Sequence, residues 1–341
     1  MKRILVTGGF GFLGSHLTER LISDAANRVH VVDDMSTSPI DLDDYIRQNG
    51  NPINLTYDIF TIDEYFRRGN VPDFEDIYHL ASPVGPAGVL RHAGNMVREI
   101  VRDCYTLIDY CVERGARLLD VSTSEIYGGG QQGYCPESTP KIVPANTTVR
   151  LEYAIGKLAA ETAIMNTCRV KPLSATIVRP FNVAGPRQSP QGGFVLPRFI
   201  QQLDRGKPLT VFGDGSAVRA FTHVKDMIEG IFLAMERGRI GEAYNIGNPE
   251  NKTTILDLAK RVVKLMGASE EMITFVDPKT IYGPLYEEAN DKFPDARKAA
   301  TELNWLPRFG MDQTVHDALA EYRRQREAGV LKHSVVANAA T

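Results

Sequence analysis

The chain has 341 residues, 43% apolar and 24% charged, with a net charge near −3 at pH 7. That balance gives no electrostatic pull toward nucleic acid or a membrane surface, and no apolar run reaches the ~20 residues needed to cross a bilayer. The opening MKRILVTGG enters a Gly-rich turn too early for a secretion signal, and the four cysteines show no CxxC pairing, so a cytoplasmic protein with reduced thiols and no metal is expected.

RILVTG (3–8) reads as a strand and SHLTERLISD (15–24) as a helix, with Leu17, Leu21 and Ile22 on one face. RVHVVDD (28–34), DIYHLAS (76–82) and RLLDVSTS (117–124) read as further strands. Between the last two lies a helical segment, 94–114. Its apolar stripe of Val97, Ile100, Val101, Cys104, Leu107, Ile108 and Cys111 is wider than one sheet contact requires, so part of it is a candidate subunit contact. Strands alternating with helices predict a parallel sheet covered on both faces. After residue 180 the texture changes. GPRQSPQGG (185–193) and FGDGS (212–216) read as loops, the stretches 254–267 and 311–327 as amphipathic helices, and the tail after Gly329 has no periodicity.

Gly8, Gly11 and Gly14 in TGGFGFLG lie between the first strand and the first helix, with Phe12 and Leu13 among them. Glycines there permit a tight turn and let backbone approach a pyrophosphate at the helix N-terminus. Asp33 ends the second strand 19 residues after Gly14, where a carboxylate accepts from ribose hydroxyls. Asp34 follows and no arginine stands nearby for a 2′-phosphate, which favours NAD over NADP. Asp58 and Ile59 would flank the adenine, although Asp58 reads equally well as a turn carboxylate.

Tyr153 and Lys157 stand four apart in EYAIGKLAAET, a run of strong helix formers, so both project from one face about 6 Å apart along the axis. A tyrosine with a reference pKa of about 10 needs help to act as a base near pH 7, and a neighbouring ammonium would supply it. Thr123 lies 30 residues upstream at the C-terminal end of a predicted strand, where parallel sheets bind ligands, and its hydroxyl can share a substrate proton.

TGGFGFLG, HLAS, STSEIYG, YAIGK, RPFNVAGPR and VRAFTHVKD together resemble the extended short-chain dehydrogenase/reductase family that acts on nucleotide sugars, over about residues 1–325. The resemblance implies an α/β fold, a Rossmann-type doubly wound parallel sheet with a smaller C-terminal α/β substrate domain. Residues 1–180 would bind NAD, with a return contribution from about 220–247. Segments 181–219 and 248–330 would bind the nucleotide sugar, and 331–341 would form a flexible tail. The family also implies catalytic Thr123, Tyr153 and Lys157, cofactor contacts from Leu80 and Ala81, and a homodimer built on paired helices.

Within the family, STSE-x-YG is similar to UDP-glucuronate decarboxylases. The 4,6-dehydratases carry Asp-Glu where this chain has Ser124-Glu125, and Ser124 cannot protonate a leaving hydroxyl. Glu125 would then sit beside C5 and C6 of a UDP-sugar. Asn182, Arg187, Arg198, Phe212 and Arg219 are candidate contacts to its diphosphate, ribose and base. Two departures stand out: Tyr-Ala-Ile-Gly-Lys replaces the usual Tyr-Asp-Glu-Gly-Lys, and Lys292 in KFPD replaces an expected arginine. Decarboxylation is therefore the leading expectation and C4 epimerisation the alternative. A 4,6-dehydratase and a non-catalytic NAD sensor rank below both.

Overall fold

A computed structural model describes residues 1–128, 133–145, 148–284, 286 and 291–330; the predicted tail, 331–341, lies outside the described residues. In chain order the first half contains β1 (Lys2–Thr7), α1 (Phe12–Ile22), β2 (Asn27–Val32), α2 (Leu42–Gln48), β3 (Leu55–Asp58), α3 (Ile62–Arg67) and β4 (Asp76–His79). Then come α4 (Gly85–Arg91), α5 (Met96–Arg114), β5 (Arg117–Val121), β6 (Gly133–Cys135), α6 (Val149–Val170), β7 (Ser174–Pro180) and β8 (Val183–Ala184). The remainder comprises α7 (Val195–Asp204), β9 (Leu209–Phe212), β10 (Val218–Ala220), β11 (Thr222–His223), α8 (Val224–Arg237), β12 (Ala243–Ile246) and β13 (Lys252–Thr254). It closes with α9 (Ile255–Met266), β14 (Ile273–Val276), α10 (Lys279–Tyr282), β15 (Lys292–Pro294) and α11 (Met311–Glu327).

Seven strands form one parallel sheet in the order β12-β7-β5-β4-β1-β2-β3. The order reverses between β1 and β4, and a doubly wound sheet binds its ligand beyond the strand ends at such a switch point. Strand alternation sends Ile4, Val6, Val29 and Val31 to one face, against Leu17 and Leu21 of α1 and Met227 and Ile231 of α8. Leu5, Ile77, Leu118 and Ile177 go to the other, against Ile100, Cys104 and Leu107 of α5 and Ala160 and Ile164 of α6. Each fully buried Val, Leu, Ile or Met among them contributes about 1.5–3 kcal/mol. A third core, with Phe199, Val211, Leu258, Val262, Val315 and Leu319, unites α7, α9 and α11 beside the β9–β14 pair.

The first helix begins at Phe12 rather than at 15, because the extended Gly11 already serves as its N-cap. The wide stripe on α5 is taken up largely inside the chain, by the sheet and by α6. Gly156 permits that close approach, since a Cβ there would lie 3.1 Å from Ile100 Cδ1 and 3.3 Å from Val97 Cα. What stays exposed on this side is Tyr105 of α5 and Ile155 and Val170 of α6, with Val143 nearby.

Candidate active site

The glycine turn forms the floor of the cofactor end. Gly8 has φ +70°, and a Cβ on it would meet Ala81 N at 2.7 Å. A Cβ on Gly14 would lie 1.9 Å from Gly8 O, so α1 packs on the turn only with glycine there. A Cβ on Gly11, by contrast, meets nothing but Gly8 O, at 3.2 Å, and its backbone is open to a close-lying diphosphate. Phe12 and Leu13 are partly buried in the first turn of α1. Leu80 N donates to Thr7 O at 3.0 Å, which fixes Leu80 and Ala81 at the adjoining strand end.

Asp33 follows β2 and is nearly buried. Its Oδ2 accepts from Phe10 N at 2.9 Å and its Oδ1 from Met35 N at 2.8 Å. Burial raises its pKa and those backbone donors oppose the rise. Each carboxylate oxygen has a further lone pair, so the group can also accept from ribose hydroxyls. These residues fit a dinucleotide. Asp58 is held by His30 Nε2 at 3.3 Å and Arg68 Nη1 at 3.4 Å, and Ile59 is exposed beside it.

The chemical end grows from the tip of β5. Thr123 caps a short 3-10 turn, Ser124–Tyr127, its Oγ1 accepting from Glu125 N at 3.2 Å. Tyr127 anchors the turn from below: its hydroxyl donates to Asn245 Oδ1 at 2.6 Å and accepts from Arg179 Nη1 at 3.0 Å. Arg179 is itself locked to Glu161 in a buried ion pair. The string STSEIYG is thus bolted to the sheet, and the bolt aims Glu125 back toward α6.

Tyr153 and Lys157 project from α6 onto the same strand end, both buried. The Tyr153 hydroxyl is hydrogen-bonded to Thr123. Burial drives the Tyr153 pKa upward; the Thr123 bond opposes this, while the charges of Glu125 and Asp120 add to it. Lys157 Nζ donates to Val121 O at 2.9 Å. The protein by itself therefore keeps Tyr153 protonated, with the Thr123 hydrogen bond opposing the rise.

Glu125 lies between two cations. Arg150 Nε donates to its Oε2 at 2.7 Å, and Lys292 Nζ is 3.2 Å from its Oε1. Burial opposes ionisation, but Arg150 and then Lys292 hold the carboxyl well below the usual carboxylate range. Lys292, buried on β15, has its own pKa lowered by burial against the attraction of Glu125. Arg150 escaped the sequence reading; the available signal was its place three residues before Tyr153, which on a helix shares a face with it.

The remaining candidates fall into separate settings. Ser124 is buried next to Glu125. Asn182, at φ 36°, donates from Nδ2 to Ala220 O at 3.4 Å. Arg219 bonds Asp291 Oδ1 at 2.8 Å, immediately before Lys292 in the chain. Arg198 lies 3.9 Å over the Phe212 ring, and Tyr286 meets the same ring edge-on with centroids 5.8 Å apart. Arg187 is engaged elsewhere: it grips both oxygens of Glu19 on α1, at 2.8 and 2.6 Å, and pins the 185–188 loop to the first helix.

Residues 4–247 match the family described as NAD dependent epimerase/dehydratase. The chain is 31% identical over 324 residues to UDP-glucuronic acid decarboxylase 1 of Arabidopsis thaliana, covering 95% of this chain and 70% of that one. It is 29% identical over 324 residues to UDP-N-acetyl-alpha-D-glucosaminuronate decarboxylase of Bacillus cytotoxicus, covering 94% and 98%. Among solved structures, UDP-glucuronic acid 4-epimerase from Bacillus cereus in complex with NAD superposes with a TM-score of 0.78 at 26% identity, covering 95% and 98%. The chain belongs to the NAD dependent epimerase/dehydratase family and is an enzyme that uses NAD.

Proposed function

We propose that the chain decarboxylates UDP-glucuronate through a 4-keto intermediate. The observation that carries this reading is the trio Glu125, Arg150 and Lys292, which combines one anion with two cations beside Tyr153. A sugar acid would bring its carboxylate to this cluster of charges. Relatives named as decarboxylases of UDP-sugar acids support the same choice.

In this reading Gly8, Gly11, Phe12, Leu13, Gly14, Asp33, Asp58, Ile59, Leu80 and Ala81 hold NAD, which when bound accepts a hydride from C4 and later returns it. Tyr153, which has to be ionised once cofactor and substrate are both bound, takes the C4 hydroxyl proton with the help of Thr123, and Lys157 steadies the nicotinamide ribose. The ketone at C4 makes the sugar a β-keto acid, so C6 leaves as carbon dioxide and C5 takes a proton. Glu125 is held ionised and therefore acts as a fixed anion that places the ring, with Ser124 passing the proton from solvent. Lys292 and Arg150 face the departing carboxylate. Asn182, Arg198, Phe212 and Arg219 line the nucleotide, whereas Arg187 serves the loop that borders it.

We place the NAD site in residues 1–180 with a return from about 220–247, and the sugar-nucleotide site in 181–219 and 248–330. The exposed Tyr105, Ile155, Val143 and Val170 side of α5 and α6 suits a homodimer, and four free thiols suit the cytoplasm. A C4 epimerase of the same sugar acid is the second reading, since a solved UDP-glucuronic acid 4-epimerase shares the fold. Incubation with UDP-glucuronate and mass analysis of the product separates the two. Loss of carbon dioxide supports decarboxylation; an unchanged mass with altered retention supports epimerisation.

A further inference from the structure

Behind the Tyr153–Lys157 pair lies a carboxylate that none of these steps uses. Asp120 stands on β5 between His79 and Ile177 of the neighbouring strands, on the sheet face that α5 and α6 cover. Asp120 is 1% exposed. A carboxylate there is costly unless a partner compensates it.

The neighbours narrow the choice of partner. Asp120 Oδ2 has no hydrogen-bond partner, and Oδ1 is 3.9 Å from His79 Nε2, beyond hydrogen-bond reach. His79 is turned to β1, with Nδ1 2.8 Å from Thr7 Oγ1, and burial pushes its pKa down to about 3, so it is neutral near pH 7. On α5, the Cys104 thiol is driven upward by burial and stays protonated. On α6, Glu161 is consumed by Arg179 at 2.6 Å, and Tyr153 is protonated. That leaves the charge of Lys157, 2% exposed: its Nζ is not in direct contact with the carboxylate but bonds the carbonyl of the very next residue, Val121, and through space it opposes the effect of burial on Asp120.

We propose that Asp120 is the counter-ion of Lys157, a positioning residue that keeps the buried pair neutral and so favours the oxidised cofactor over the reduced one. The oxidised nicotinamide ring carries a positive charge that the reduced ring lacks. A bare lysine ammonium beside it repels NAD+ selectively, and an anion behind the lysine cancels that repulsion. Burial raises Asp120 to about 6 against the opposing charge of Lys157. The pair is therefore cationic below that pH and neutral above it, while His79, Cys104 and Tyr153 do not change charge between pH 5 and 7.5. The inference rests on Lys157 standing beside the nicotinamide, as proposed above.

The test is equilibrium binding of NAD+ and of NADH to the full chain stripped of cofactor, from pH 5 to 7.5. In the wild type the preference for NAD+, expressed as Kd(NADH)/Kd(NAD+), should rise roughly 3- to 10-fold across that range. Asp120→Asn and Asp120→Leu should each hold the low-pH preference throughout. Lys157→Met should raise the preference for NAD+ at the acid end. An Asp120→Asn protein with the wild-type rise, or a wild type with no rise, overturns the counter-ion. If Lys157→Met shifts the preference but Asp120→Asn does not, the counter-ion alone fails. If neither does, the placement of Lys157 fails with it.

Discussion

Arg150 donates from Nε to the Glu125 carboxylate at 2.7 Å, joining the first turn of α6 to a 3-10 turn 25 residues earlier. Lys292 reaches the other oxygen from β15, so three distant segments converge on one charge cluster. In the proposed reaction, the chemistry that follows oxidation at C4 depends on that cluster.

Replacing Glu125 by Gln keeps the shape and removes the anion. Carbon dioxide release from UDP-glucuronate should fall about 100-fold or more while NAD stays bound. A release assay alongside cofactor content of the purified variant checks both. Unchanged release would take Glu125 out of the mechanism.

Tyr153→Phe removes the proposed proton acceptor while keeping the aromatic ring. Turnover should fall about 10²- to 10⁴-fold with any sugar the enzyme oxidises. Transient NADH absorbance in single-turnover mixing reads the step directly, and normal NADH formation would reject the assignment of the base.

Lys292→Met should raise KM for UDP-glucuronate far more than for neutral UDP-glucose, because only the former brings a carboxylate to the cluster. Lys292→Arg restores the positive charge and should recover most of the loss. Equal KM changes for both sugars would place Lys292 away from the substrate acid.

Stability against pH separates the two buried acids by sign. The folded pKa of Glu125 lies below its unfolded value, so its contribution is present above about pH 4.3 and is lost as pH falls. That of Asp120 is raised to about 6 in the fold, so stability is lost as pH rises from about 4 through 6. Denaturation curves from pH 4 to 7 should therefore show Asp120→Asn gaining on the wild type as pH rises. Parallel curves would show that Asp120 is not a strained acid.

The sheet was readable because buried parallel strands are short apolar runs between helical segments, and β1, β2, β4 and β5 follow that pattern. The glycine turn was readable because a Cβ at Gly8 or Gly14 would strike backbone, and Asp33 because it is a carboxylate at the end of the second strand. Arg150 was not, since a partner 25 residues away leaves no periodic trace. Arg187 pairs with Glu19 on α1, a partner 168 residues away for which an arginine in a loop carries no mark in the sequence. Asp120 broke an apolar strand pattern, but only the lysine behind it gives that break a meaning.

The most direct measurement follows UDP-glucuronate labelled isotopically at C6 by carbon NMR during turnover. The label should leave the sugar and appear as bicarbonate, with Glu125→Gln leaving it in place. Label retained at C6 of a sugar inverted at C4 would contradict decarboxylation and leave the epimerase reading.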